Sequence, residues 1–150
     1  MNKITWVVVF ILLTPIRLQA QSDTFQSIAK RFLSAKERSY QQMATKESID
    51  EVLNFCSDTI KYDHVLSPEK KFSFIGKEQW RSGSISHLGE TRNVRLRILN
   101  SVARQNIVIT EYTLYRELKT SEGWQNSNGT IISIMEFNGS GKISRLTEYL

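Results

Sequence analysis

From Asn93 onward the apolar residues of this chain fall on alternate positions, and that rhythm commits its second half to β-sheet. Val94, Leu96, Ile98 and Val102 alternate with Arg95, Arg97 and Ser101, and the stretches NIVITEYTLYREL, GTIISIMEF and KISRLTEYL carry the pattern to the C-terminus. Successive side chains of a strand point to opposite faces, so a period of two gives each strand one buried and one wet side. The segments ARQN, KTSEGWQNSNG and NGSG separate these runs and read as turns, with Asn138 to Gly141 the strongest hairpin signal. Four long antiparallel strands are expected.

Upstream the period is helical. Phe25, Ile28, Ala29, Phe32 and Leu33 make one apolar face, with Lys30, Arg31 and Glu37 outside it. Ser48 followed by Glu51 reads as a capping box, opening a second helix whose inward face is Ile49, Val52, Leu53 and Cys56. DTIKYDHV is a β-type segment in which Ile60, Tyr62 and His64 alternate, and Pro68 then breaks the chain. FSFI is a short strand, and KEQWRSGSISHL a third helix that Gly83 weakens. Helices packed on one side of a curved sheet make an α+β domain.

The first residues stand apart. Lys3 precedes an apolar run from Ile4 to Leu13, and RLQA offers Ala20 before a cut. That run is too short for a membrane span, which takes roughly 20 residues, and fits a secretory signal over residues 1–20. Leu18 is larger than a cleavage site prefers, which leaves an uncleaved anchor open. The expected destination is export, to a periplasm or the outside, with residues 21–150 as a single domain and no stable membrane span once the signal is gone. Loss of Lys3 and Arg17 takes the net charge from +5 to +3, too mild and too scattered an excess for nucleic acid. The lone Cys56 forms no internal disulfide, and two histidines without ligand-type spacing give no metal site. Neither a phosphate loop nor a nucleophile elbow is present, and no cofactor is called for.

VLNFCSDTIKYD leading to FIGKEQW, and the ending IMEFNGSGKISRLTEYL, resemble the nuclear transport factor 2-like superfamily, in its SnoaL-like and ketosteroid isomerase-like branches. The resemblance implies a cone: a strongly curved, mostly antiparallel, cystatin-like sheet wrapped around N-terminal helices, with a pocket at its open end. It specifies no chemistry, since such folds host many activities. Steroid isomerases pair a general-base aspartate with an oxyanion hole of a tyrosine and a protonated aspartate. Matched residue by residue, Asp63 takes the base position, whereas Ser133 and Phe32 stand where the oxyanion donors would be. Steroid-type isomerisation is therefore not expected.

The candidate site follows from these pieces. The catalytic candidates are Asp63 and His64. A regular strand puts them on opposite faces, so they cannot act as a pair; alternation favours Tyr62 and His64 inward, the family count Asp63. The resemblance assigns Ile131, Ser133, Met135 and Phe137 to the pocket together with Trp80, giving a mostly apolar site for a small organic ligand. Two alternatives stay open. One is an acid–base enzyme of cyclase, isomerase or hydratase type using Asp63 or His64; the other is an interaction module forming a homodimer through the sheet. Arg92, Arg95, Arg97 and Arg104 gather around one strand, with Glu111 and Arg116 as expected partners on the next.

Overall fold

The computed structural model describes residues 24–150, so the signal expected over residues 1–20 lies outside it. Helix α1 spans residues 24–39, followed by α2 (Lys46–Leu53), β1 (Cys56–Ser67), β2 (Lys70–Ile75), α3 (Lys77–Ser86), β3 (Thr91–Arg104), β4 (Ile107–Thr120), β5 (Gly123–Phe137) and β6 (Ile143–Tyr149). The strands form one sheet in the order β2-β1-β6-β5-β4-β3. Among the described strands only β1 and β6 run parallel; every other neighbouring pair is antiparallel. The expected α+β architecture is present, a bent sheet with its helices on one side.

The alternation read from the sequence decides which face is filled. Val108, Thr110, Tyr112 and Leu114 on β4, with Ile131, Ser133, Met135 and Phe137 on β5, are buried, while their odd-one-out neighbours are partly or fully exposed. Helix α1 supplies Phe25, Ala29, Phe32 and Leu33 to the same core, and the Phe25 ring stacks on Phe137 with centroids 4.6 Å apart. Polar side chains of α1 and the following turn fasten β3, an edge strand with backbone groups to spare. Gln26 Nε2 donates to the Ser101 carbonyl at 2.9 Å, the Leu96 amide donates to Glu37 Oε2 at 2.9 Å, and Gln41 Nε2 donates to the Val94 carbonyl at 2.8 Å. Helix α3 is held to α2 by a two-pronged contact from Arg81 to the Asp50 carboxylate, at 2.6 and 3.0 Å.

Local readings needed correction in three places. The second helix starts before Ser48: Thr45 is its N-cap, and the Thr45 amide donates to Ser48 Oγ at 3.1 Å, so Ser48 closes the box instead of opening it. Cys56 is not on that helix, which ends at Leu53; it opens β1, still buried. The segment KTSEGWQNSNG is mostly strand, because Gly123 adopts φ +110° at a tight turn and the register continues from Thr120↔Gly123 through Tyr115↔Asn128. Gly83 has a packing role within α3, since a Cβ there would sit 2.7 Å from the Phe74 ring.

Phe137 is 2% exposed and its ring faces Phe25, so truncation leaves an unfilled hole under α1. Phe137→Ala is expected to lower unfolding free energy by about 3–5 kcal/mol in urea titrations. A loss under about 1 kcal/mol would show that this end of the cone can collapse.

Candidate functional site

Strand β1 keeps a regular register against β2 through Tyr62↔Phe74, Asp63↔Ser73 and His64↔Phe72. Tyr62 and His64 therefore share one face, and both line a half-open cavity of about 530 Å³. Trp80 of α3 lines it too, with Phe72, Phe74, Leu88, Arg116 and Leu118. One wall is aromatic: the Tyr62 ring lies 4.6 Å from Trp80 and 5.8 Å from Phe74, centroid to centroid.

The other pocket candidates are not in this cavity. Ile131, Ser133, Met135 and Phe137 pair in register with or beside Tyr112, Thr110 and Val108, under α1, where the core is closed. The cavity instead lies along the far end of β4, at Arg116, Leu118, Lys119 and Thr120, past the reach of those β5 side chains. The two positions equated with an oxyanion hole give the cavity no donor: Phe32 is a core ring and Ser133 Oγ is buried without a partner. Arg116 also departs from expectation. It points to the cavity instead of pairing with the arginine row, and Glu117 takes that part, accepting from Arg92 Nε at 2.7 Å.

Asp63 faces the opposite side of the sheet. Its carboxylate accepts from Ser73 Oγ at 2.7 Å, with Lys71 Nζ at 3.1 Å, Arg145 Nη2 at 3.5 Å and Lys61 Nζ at 3.8 Å. Long basic side chains lie over it, which leaves it no accessible surface although it sits near the outside. It cannot serve as a base in the cavity. The strand's alternation, not the family count, sets its direction.

The floor of the site is a cluster that the sequence reading did not find. Glu148 of β6 accepts Lys36 Nζ on both oxygens at 2.5 Å, the Tyr62 hydroxyl at 2.7 Å and the Tyr112 hydroxyl at 2.8 Å. Lys36 and Glu148 are 2% and 1% exposed. Both had a signal. Lys36 lies three and four residues after Leu33 and Phe32, inside the apolar stripe of α1, and Glu148 alternates with Leu146 on the buried side of β6. The Tyr62 hydroxyl also lies 3.3 Å from His64 Nδ1.

With this geometry the comparisons with known proteins agree on a fold. An LEH-like epoxide hydrolase from M. tuberculosis is 18% identical, with 83% of each chain covered and a TM-score of 0.61. A protein with a ketosteroid isomerase-like fold from Catenulispora acidiphila, in complex with trimethylamine, is 13% identical over 79% of this chain and 84% of that one, with a TM-score of 0.61. An NTF2-like protein of unknown function from Exiguobacterium is 15% identical over 81% of this chain and 95% of that one, again with a TM-score of 0.61. The chain shares the NTF2-like, ketosteroid isomerase-like fold of these structures. No protein-family model matches the chain, and no curated protein does.

In this NTF2-like cone the floor cluster fixes which groups carry charge. Burial opposes ionisation of Glu148, but the Lys36 charge and the donated hydrogen bonds of Lys36, Tyr62 and Tyr112 outweigh it and hold the carboxyl below its ordinary 4.5. Burial likewise works against charged Lys36, and Glu148 reverses it, raising the ammonium above 10.5. Tyr62 and Tyr112 are pushed well above 10.0 by burial and by the Glu148 charge, so both keep their protons. His64 is lowered from 6.5, by burial first, with Glu148 partly offsetting and Lys36 and Arg116 adding to the effect; it is neutral at pH 7. The single Tyr62 proton goes to the carboxylate at 2.7 Å, so the weaker 3.3 Å contact is made by a proton on His64 Nδ1. His64 Nε2 is then a bare acceptor, and it has no partner. Cys56 adds nothing reactive, its thiol pushed up to about 12 by burial.

Breaking a buried pair strands the other charge. Lys36→Met is expected to lower unfolding free energy by about 3–5 kcal/mol, and Lys36→Met with Glu148→Leu to recover part of that loss. Glu148 also sets an acid limit. Its folded pKa is depressed, so its stabilisation is complete above about pH 4.5 and is lost as pH falls through the lower folded value. Urea midpoints followed downward from pH 6 should fall through that window in the wild type, and less so in the double variant; equal slopes would mean that other carboxylates dominate.

Proposed function

We propose that this is an exported protein that binds a small organic ligand in the cavity between β1, β2, α3 and the far end of β4. The observation that carries the reading is the lining: a preformed space of about 530 Å³ with an apolar wall of Tyr62, Phe74, Trp80, Leu88 and Leu118 and polar side chains such as Gln41, Ser84, Thr91 and Arg116 around it. Small-molecule sites have this size and character. Export rests on the leader pattern ahead of Ala20. Among the described residues, no helix is long and apolar enough to cross a membrane.

An acid–base enzyme is the weaker reading. Asp63 is on the wrong face, and the Glu148 carboxylate accepts from Lys36, Tyr62 and Tyr112. That leaves His64 as the base without a second titratable group converging on one reacting atom. The ligand reading is tested by native mass spectrometry of protein taken from its exported compartment. A co-purifying small molecule is expected, and Ser84→Trp, which fills the cavity from α3, should lose it while the unfolding midpoint stays within a few degrees. Absence of any bound mass, together with no uptake of an apolar dye, would sink the reading.

A homodimer through the sheet is supported by a separate observation. Val102, Ile109, Ile132 and Tyr149 stand on the outer face at 57, 45, 44 and 45% exposure, and Val102↔Ile109 and Ile132↔Tyr149 are paired across neighbouring strands. Contiguous apolar surface of this kind marks contact sites. Sedimentation at micromolar concentration should give a dimer that Ile109→Lys converts to monomer; a wild-type monomer would remove this reading.

A further inference from the structure

The two edges of the sheet are finished differently. At β3, Gln26, Glu37 and Gln41 engage backbone groups of the strand, whereas among the described residues no strand lies beyond β2. The Gly76 amide donates to the Ile60 carbonyl opposite it at 2.7 Å, which sets the phase of the β1–β2 ladder. Hydrogen-bonded positions of an antiparallel pair recur every second residue, so Phe72 and Phe74 turn their backbone groups to β1. Lys71, Ser73 and Ile75 turn theirs outward. The Ile75 amide fits this phase, since it donates to Gln79 Oε1 of α3 at 2.6 Å. That leaves the amides and carbonyls of Lys71 and Ser73, and the Ile75 carbonyl, along an exposed edge with no strand to pair with. The side chains of this strand are equally uncovered: Phe72 on one face is 52% exposed, and Ile75 on the other 70%. Lys70 and Lys71 stand at its start. Lys71 shares the one Asp63 carboxylate with Lys61 and Arg145, and Arg145 also reaches Glu136. The Lys70 ammonium lies 5.9 Å from the Phe72 ring centroid and has no ion pair among the described residues, Glu69 of the turn accepting from Ser67 Oγ instead.

We propose that the β2 edge receives an extended, acidic segment of a partner protein, which adds to the sheet as one further strand. Its backbone pairs with Lys71 and Ser73, its acidic end lies along Lys70 and Lys71, and apolar side chains at its other end cover Phe72 and Ile75. In strand addition the main-chain bonds supply affinity and the alternate side chains supply selectivity. Lysine on an edge strand discourages pairing with a like chain and admits one of opposite charge. A second copy of this chain therefore suits the edge less well, because it brings its own Lys70 and Lys71 to a seam that already carries them. This surface is separate from the small-molecule reading: the Phe72 ring lines the cavity, whereas the backbone groups of Lys71 and Ser73 point away from β1 along the edge.

The test is fluorescence anisotropy of the full chain with short labelled peptides. The probe alternates valine and threonine and carries two glutamates at one end; it is made with the glutamates first and with them last, to cover both strand directions. One of the two is expected to bind saturably at micromolar concentration, about fivefold more tightly than its counterpart with lysines, the margin of one or two exposed ion pairs. N-methylation of every second residue of that peptide should abolish binding in one phase and spare it in the other, because a single row of its amides faces β2. Lys70→Glu, at an exposed position, should weaken the acidic peptide and strengthen the basic one while the unfolding midpoint stays unchanged. Equal binding of acidic and basic peptides would overturn the acidic partner, and methylation that acts equally in both phases would overturn strand addition. Binding of neither peptide would overturn the proposal and leave the cavity reading standing. A dimer that survives Ile109→Lys but is lost in Lys71→Pro, which removes an outward amide, would give the edge to a second copy and overturn the acidic partner.

Discussion

One carboxylate, Glu148, gathers α1, β1, β4 and β6 at a single point. Lys36, Tyr62 and Tyr112 all donate to it, and all four residues are buried. A buried ion pair contributes little net stability against a well-packed apolar replacement, because both charges lose their hydration. What it contributes here is position. A slip of one residue in β6 would carry Glu148 to the outer face and leave Lys36 buried with no counter-charge. The register Ser133↔Glu148 on one side and His64↔Glu148 on the other is thereby held against its neighbours, and with it the curve of the sheet around α1.

The same cluster governs the polar character of the cavity above it. Because Tyr62 commits its proton to Glu148, His64 must carry its own proton on Nδ1. Its Nε2 is then a buried acceptor without a partner, and burial first, with Lys36 and Arg116 adding to it against Glu148, keeps the ring neutral near pH 7. A structural ion pair two contacts away thus fixes the tautomer of a ring that lines the site. The aromatic wall of Tyr62, Phe74 and Trp80 belongs to the same arrangement, since Tyr62 is at once a wall and the link to the floor.

Legibility in the sequence followed the range of the physics involved. Period-two alternation is local, so β3 to β6 could be read, and the apolar stripe of α1 likewise. Where a turn depended on one residue the reading slipped: Gly123 at φ +110° ends its loop after two residues, and a stretch read as turn is strand. The wall residues Tyr62 and His64 were recoverable because alternation on β1 does not depend on distant partners, whereas Trp80 on α3 came only from the resemblance. Ile131 to Phe137 were misplaced because alternation tells which face is buried but not how far along the strand the core ends and the cavity begins. Lys36 and Glu148 escaped for a further reason. Charges at inward positions look like exceptions one at a time and make sense only when α1 and β6, 112 residues apart at that contact, are brought together.

The contest over Asp63 shows why local geometry outranks a positional match to distant relatives. Bringing its carboxylate to the cavity would require a bulge that shifts the phase of β1 between Ile60 and Asp63 without disturbing Tyr62. The irregularities present lie elsewhere, between Cys56 and Lys61 on the β6 side and between Val65 and Ser67 on the β2 side. Across Lys61 to Val65 pairing is continuous with both neighbours, so any phase change would expel Tyr62 from Glu148 and turn His64 outward. The outer site also suits Asp63 as a charged group. Burial alone would raise its pKa, yet Ser73 and Lys71, with Lys61 beyond, hold it below 3.8, so it stays ionised. A carboxylate stabilised so well in its charged form is a poor base wherever it points. The residue that a fold-level match would nominate for catalysis is, in this chain, the acidic centre of a basic surface cluster.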